Sequence, residues 1–328
     1  MKPLDIHEPS ELFEYVRLED SVPERRDDRI DVALLDMNHS WPNVGHDSII
    51  HAIAEGAESF HDELAGAGVK VRVLSFDVRR RLLLPESPNG RFRLYVGTGG
   101  PGHLDPRLND GVSEFSQGIS EDPSWEAPLF RLFDDIHKHD EAALVGICHS
   151  FGLMCRWSGV ARAELRNEKS SGMPLNMLTD DGASHPFFRE FANELADRRH
   201  FRVVDNRLFD LVVDKLGSAT PIATEHEESH GLTMVELARH ADGTPRMLGV
   251  NHHPEIVDRE HILAVLAEKR AHGEVSETWY RERAETMSDL FHGERERQSR
   301  MTSHYTLLEP LRRHIGRLVA ERCSAVAR

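Results

Sequence analysis

Along the first half of the chain, apolar residues gather in short runs rather than on alternate positions. Residues 31–37, 69–76, 92–96 and 142–147 are of this kind, and an apolar run of four to eight residues between turn signals is the pattern of a strand buried on both faces. After the first run, a loop holding Pro42 and Gly45 leads into residues 48–64, whose apolar spacing predicts a helix stopped at Gly66 and Gly68. Residues 129–139 predict another helix, just before the fourth strand. Strands alternating with helices predict an α/β fold: a mostly parallel, doubly wound sheet covered on both faces. Two more strands are expected at 201–204 and 248–251, in a β-rich stretch with hairpin turns such as Asp242-Gly243.

The two ends read differently. Residues 1–29 form an acidic lead-in that closes on a mixed-charge run, Arg25 to Arg29. Beyond Asp258 come helical stripes: Ile262, Val265 and Leu266; then Tyr280, Ala284, Met287 and Phe291; then Leu311, Ile315, Leu318 and Val319, expected to open behind Pro310. Three parts are therefore expected: 1–29, a main domain over 30–258, and a helical C-terminal extension over 259–328, packed on the main domain or on a second copy.

Composition removes some functions. With 40 Lys+Arg against 56 Asp+Glu, the 328-residue chain carries a formal charge of −16, the wrong sign for a phosphate backbone or an anionic membrane. Neither nucleic acid nor membrane is expected as a partner. The lead-in has no apolar signal-peptide core, no run approaches ~18 apolar residues, and three cysteines make no disulfide framework. A reducing, cytoplasmic setting is the expectation. The run Arg79-Arg80-Arg81 reads as a solvated surface.

Two motif matches are decoys. The glycines of 97–102 satisfy G-x-G-x-x-G after a strand, but Pro106 stands where a dinucleotide site needs a helix. Residues 226–230 satisfy the zinc pattern H-E-x-x-H, yet Pro221 and Gly231 flank it and no apolar periodicity supports a helix. No metal or organic cofactor is expected.

The fourth strand ends in a more informative way. Gly146-Ile147-Cys148-His149-Ser150 puts a cysteine where a buried strand turns sharply into a helix, with small residues two positions before and after. This is the pattern of a nucleophile elbow, which lifts the central side chain out at the carboxyl edge of the sheet over a helix N-terminus that favours a thiolate. A thiolate needs a base, and the base an orienting acceptor. His253-Pro254-Glu255, after the strand at 248–251, supplies both. The small-residue loop from Gly99 to Gly102 follows another strand, so that the Gly100 and His149 N–H groups can converge on a developing oxyanion.

The ordered set of Gly99-Gly100-Pro101-Gly102, Gly146-Ile147-Cys148 and His253-Pro254-Glu255 resembles the class I, triad-type glutamine amidotransferases over about residues 30–258. The resemblance implies a flavodoxin-like sandwich, with Cys148 as nucleophile, His253 as base, Glu255 as its carboxylate, and Gly100 and His149 as oxyanion donors. It points to Gly99, Ser150, Gly152, Asn251 and His252 as substrate-binding positions. Several depart from the family pattern. Ser150 and Gly152 stand where Gly-x-Cys-x-Gly-x-Gln has glycine and a substrate-holding glutamine, Asn251-His252 replaces a glutamine-aromatic pair, and residues 105–125 read as an inserted loop.

Three functions are compatible with this reading. The first is release of ammonia from glutamine or a related carboxamide through a thioester. The second is hydrolysis of γ-glutamyl amides or peptides in an altered pocket, favoured by Gly152, which removes a hydrogen-bond partner for free glutamine. The third is a non-catalytic scaffold on the same fold. The 70 residues after the core are too few for a fused synthetase. The expected partners are a small-molecule amide and either a separate synthase subunit or a second copy joined through the C-terminal helices.

Overall fold

The apolar runs become strands of one sheet. In a computed structural model that describes residues 6, 8, 10–41, 43–88, 90–225 and 231–326, the chain begins with β1 (Phe13–Arg17), β2 (Arg29–Asp36), α1 (Gly45–Glu58), α2 (His61–Ala67), β3 (Lys70–Asp77) and α3 (Val78–Arg81). It continues through β4 (Leu94–Gly97), α4 (Glu126–Lys138), β5 (Ala143–Ile147) and α5 (His149–Ser158). The β-rich part holds β6 (Ala161–Gly172), β7 (Leu175–Leu178), α6 (Asp180–Ser184), α7 (Arg189–Glu194), β8 (His200–Arg202), β9 (Asp205–Val213), β10 (Thr220–Glu225), β11 (Leu232–Arg239) and β12 (Pro245–Val250). Four helices follow: α8 (Arg259–Ala271), α9 (Glu277–Leu290), α10 (Glu294–Ser303) and α11 (Glu309–Val326).

Ten strands form the sheet, in the order β1-β3-β2-β4-β5-β12-β11-β10-β7-β8. From β1 to β12 all pairs are parallel, and from β12 to β8 all are antiparallel. β6 and β9 make a separate antiparallel ribbon. Alternation along β2 shows why both faces are covered: Val32 and Leu34 enter one core with Ile49 and Ile53 of α1, while Ala33 and Leu35 enter the other with Leu129 and Phe133 of α4. The result is a flavodoxin-like α/β sandwich with a helical C-terminal stretch, as the sequence predicts.

Four details differ from the sequence reading. The helix expected at 48–64 is broken between α1 and α2, and Phe60 at the break seats against Gly316 of α11, where a β-carbon would lie 2.6 Å from its ring. The acidic lead-in contributes β1, which pairs with β3 in register from Phe13↔Val71 to Arg17↔Ser75. Pro310 does not open a helix after a break, because a π turn (His304–Leu308) joins α10 directly to α11. Arg79 is not solvated. Its side chain is fully buried against Glu121, and only Arg80 and Arg81 are exposed.

The C-terminal stretch covers the helix layer. Leu311, Ile315 and Val319 of α11 join the core beneath α1. α8 is fastened by Lys269 Nζ, 2.6 Å from Asp47 Oδ2, and by Glu268, whose Oε2 lies 3.0 Å from His51 Nε2.

Candidate functional site

Parallel strands end at a common edge, so the residues that follow β4, β5 and β12 meet there whatever their separation in sequence. Gly97, Gly146 and Gly249 face one another across these three strands. The row has a steric purpose. A β-carbon would lie 2.4 Å from Ser150 Oγ at Gly97, 2.4 Å from Met154 Sδ at Gly146, and 2.2 Å from the Phe151 ring at Gly249. Without side chains in this row, α5 can lie directly on the sheet, which brings its first turn to the strand ends.

Cys148 is the hinge of that turn, at φ 49° and ψ −102°. A residue with a β-carbon is strained there, by about 1–3 kcal/mol. The surroundings hold it: its N–H donates to Val250 O at 2.8 Å, its carbonyl accepts from the Gly152 N–H at 3.0 Å, and Ser150 Oγ donates to Thr98 O at 2.7 Å. This is the elbow the sequence predicts.

His253 stands opposite. Its backbone N–H donates to Val204 O at 2.8 Å, and its Nδ1 lies 2.8 Å from Glu255 Oε1. The ring lies beside Cys148, whose charge acts on it. Gly99 fits against this pair, and a β-carbon on it would lie 3.1 Å from His253 Cε1 and 3.4 Å from Cys148 Cβ. Burial draws the imidazole's pKa down, but the charges of Glu255 and Cys148 and the hydrogen bond to Glu255 outweigh burial and hold it well above its ordinary value. Glu255 is completely enclosed, while the imidazole keeps 16% of its surface exposed. The structure thus places His253 on Glu255 and, against Gly99, beside Cys148.

The two expected oxyanion donors line the same pocket as Cys148. His149 is the first residue of α5, so its N–H has no acceptor within the helix. Gly100 backs onto Met37, whose carbonyl oxygen would lie 2.3 Å from a β-carbon. The His149 ring is buried with an unpartnered Nε2 and stays neutral: burial, then the Arg79 and Arg156 charges, push its pKa well down.

The five expected substrate positions separate. Asn251 lines the pocket, and Gly99 packs on Cys148 and His253 as described. Ser150 is tied to Thr98, and His252 is buried against Phe201 with its pKa pushed down to about 3 by burial, His253 and Arg207. At Gly152 a β-carbon would lie 2.4 Å from Leu104, the residue that leads into the inserted loop. Leu104 therefore fills the space a glutamine would need. Gly152→Gln is expected to expel this buried leucine and destabilise the fold by about 1–3 kcal/mol, read as a lower urea midpoint at unchanged slope.

The sequence reading missed a second set of residues. Gln117 of the inserted loop and Asn206, Arg207, Phe209 and Leu211 of β9 also line the pocket. The loop is firmly built. Arg79 donates to Met37 O at 2.9 Å and Pro101 O at 2.7 Å, and it pairs through two bonds with Glu121, which also accepts from Asn109 Nδ2 and Trp125 Nε1. The only sequence signal for this was the insertion itself.

Of the decoys, the glycine-rich loop leads into a single 3-10 turn (Pro106–Leu108) and not a phosphate-binding helix. The H-E-x-x-H run at 226–230 lies outside the described residues. Among the described residues no cluster of three metal-ligating side chains occurs, and no helix is long and apolar enough to cross a membrane.

The fold is an α/β sandwich with a strained cysteine at the turn from β5 into α5. More narrowly, the chain has a glutamine amidotransferase-like fold. It is similar to a glutamine amidotransferase from Thermotoga maritima, with TM-score 0.51 and 16% identity over 86% of this chain and 98% of that one. At that identity the likeness is one of fold. Also similar are a glutamine amido transferase from Methylobacillus flagellatus, with TM-score 0.44 and 14% identity over 90% and 95% of the two chains, and the glutaminase domain of Trypanosoma brucei CTPS, with TM-score 0.42 and 12% identity over 76% and 96%. No family model matches the chain, and no curated protein matches it by sequence.

Proposed function

We propose that this chain is a cysteine-nucleophile amidohydrolase that releases ammonia from glutamine or a related carboxamide, with residues 30–258 as the catalytic unit. The observation that carries the reading is the strained Cys148 at the head of α5, beside an imidazole that is itself bound to a buried carboxylate. The Cys148 thiolate attacks the carboxamide carbon, forming a C–S bond. The carbonyl electrons move onto oxygen, where the Gly100 and His149 N–H groups stabilise the charge; one such donor contributes about 3 kcal/mol. His253 gives its proton to the nitrogen, the C–N bond breaks and ammonia leaves. The same imidazole then takes a proton from water, which attacks the thioester to yield a carboxylic acid and restore the thiolate. Acid–base transfer of this kind contributes on the order of 10² to 10⁴ in rate.

Glu255 keeps the imidazole oriented throughout and favours its charged form before the attack on the carboxamide and again once the thioester is hydrolysed. A synthase subunit that takes up the ammonia is the partner this chemistry calls for, with self-association through residues 259–328 as the other arrangement. An electrophilic glutamine analogue is expected to add one equivalent of mass to Cys148, in step with loss of ammonia release. Labelling at Cys155 or Cys323 instead, or an unlabelled protein that releases no ammonia, would leave the scaffold reading in its place.

A further inference from the structure

The pocket beside Cys148 has a mixed lining. Apolar Leu104, Phe209 and Leu211 share it with three residues that carry carboxamides, Gln117, Asn206 and Asn251. Gln117 is held by its carbonyl end. The Gly102 N–H donates to Oε1 at 2.8 Å, and among the described residues no hydrogen bond takes up the Nε2 hydrogens, which leaves them available to a ligand in the pocket that Gln117 lines. The residue is fixed in place by the loop that carries it. Arg79, Glu121 and Asn109 lock residues 101–121 onto the strand ends, and Gln117 itself sits in the left-handed region at φ 51°. A donor held rigidly in this way reads an acceptor without a large ordering cost.

Charge is the second observation. Arg207 also lines the pocket, but its charge is already met by three carboxylates: Nη1 is 2.9 Å from Asp205 Oδ2, Nε is 3.4 Å from Asp210 Oδ1, and Nη2 bonds Glu225. No carboxylate lines the pocket among the described residues. Free glutamine would bring in an ammonium and a carboxylate. Taking either out of water without an uncommitted counter-charge is costly, whereas neutral amide groups are well paired by asparagine and glutamine side chains. Resting on the amidohydrolase reading above, we infer that the site takes a carboxamide carried on a neutral, amide-linked scaffold, such as a glutaminyl residue within a peptide, in preference to free glutamine, with Gln117 as a specificity-determining residue.

The test compares ammonia release from four substrates: glutamine, Nα-acetylglutamine, glutamine α-amide and Nα-acetylglutamine α-amide. The doubly blocked compound is expected to exceed free glutamine in kcat/KM by about tenfold or more, the loss that one unpaired buried polar group imposes. Gln117→Ala is expected to lower kcat/KM for the doubly blocked substrate about tenfold, chiefly through KM. Alkylation of Cys148 by iodoacetamide, which has no distal end to be read, is expected to keep its wild-type rate and so to report an intact site. Gln117→Glu adds an anion of the same size and is expected to shift preference toward glutamine α-amide, which carries the free ammonium.

Equal or better turnover of free glutamine overturns the inference and leaves the amidohydrolase reading standing. So does a Gln117→Ala variant that keeps all four substrates in the wild-type ratio. If none of the four yields ammonia, the amidohydrolase reading falls, and this inference with it.

Discussion

Cys148→Ala is expected to lower ammonia release by about 10⁴-fold or more while leaving the protein folded. The size follows from the division of labour at the site. His253 and Glu255 act only through the sulfur, so without it what remains is binding and two oxyanion donors acting on water, and residues that work as a unit lose nearly all of their effect together. The double variant Cys148→Ala/His253→Ala is therefore expected to be about as slow as the single one. Stability separates chemistry from architecture. Alanine keeps the β-carbon and hence the backbone strain at φ 49°, whereas Cys148→Gly relieves it and is expected to stabilise the fold by about 1 kcal/mol. Both are read by a coupled ammonia assay and by urea unfolding on the same preparations. Activity that survives the loss of the sulfur would contradict the mechanism.

That Cys148 stands out in the sequence reflects which interactions are local. The elbow is written within five residues, because the sharp turn after β5 demands small neighbours at Gly146 and Ser150 on either side of Cys148. The pair His253 and Glu255 is equally local, and a parallel sheet then gathers the strand ends by geometry. The buried strands were legible for the same reason, as unbroken apolar runs between glycines and charges. What was not legible depends on partners far along the chain. Nothing in Arg79-Arg80-Arg81 distinguishes the first arginine from the others until Glu121 arrives 42 positions later to pair with it. The break at Phe60 needs Gly316 of α11 to explain it. The lining of the pocket beside Cys148 is of this kind too. Asn206 and Gln117 come from a ribbon and an inserted loop whose own sequences carry no catalytic pattern, and only the fold sets them beside Cys148.

Glu255→Gln makes the sharpest demand on the electrostatics of the site. In the wild-type protein burial works against a charged His253, and the Glu255 carboxylate is the largest influence that overcomes it. The imidazolium needed to protonate the departing nitrogen therefore persists to higher pH than for an ordinary histidine. Activity should hold until the pH rises through the raised value for His253 and then fall. The amide of glutamine still accepts a hydrogen bond from Nδ1–H, so the ring keeps its place, but the larger of the two upward influences is gone, only Cys148 remains against burial, and the pKa falls. The alkaline limb of kcat against pH is expected to move to lower pH, and kcat near pH 8 to fall by about 10² to 10⁴.

Stability follows with a definite sign. A histidine whose folded value lies above its unfolded one, about 6.5, contributes stability that is complete below that pH and is lost as the pH rises through the folded value. The wild type therefore holds an increment over Glu255→Gln at pH 6 that shrinks on the alkaline side. Titration of the His253 ring by NMR, run beside the pH–rate profile, checks both halves at once. An alkaline limb at the same pH in the two proteins would mean that this carboxylate does not govern the proton on which the reaction depends.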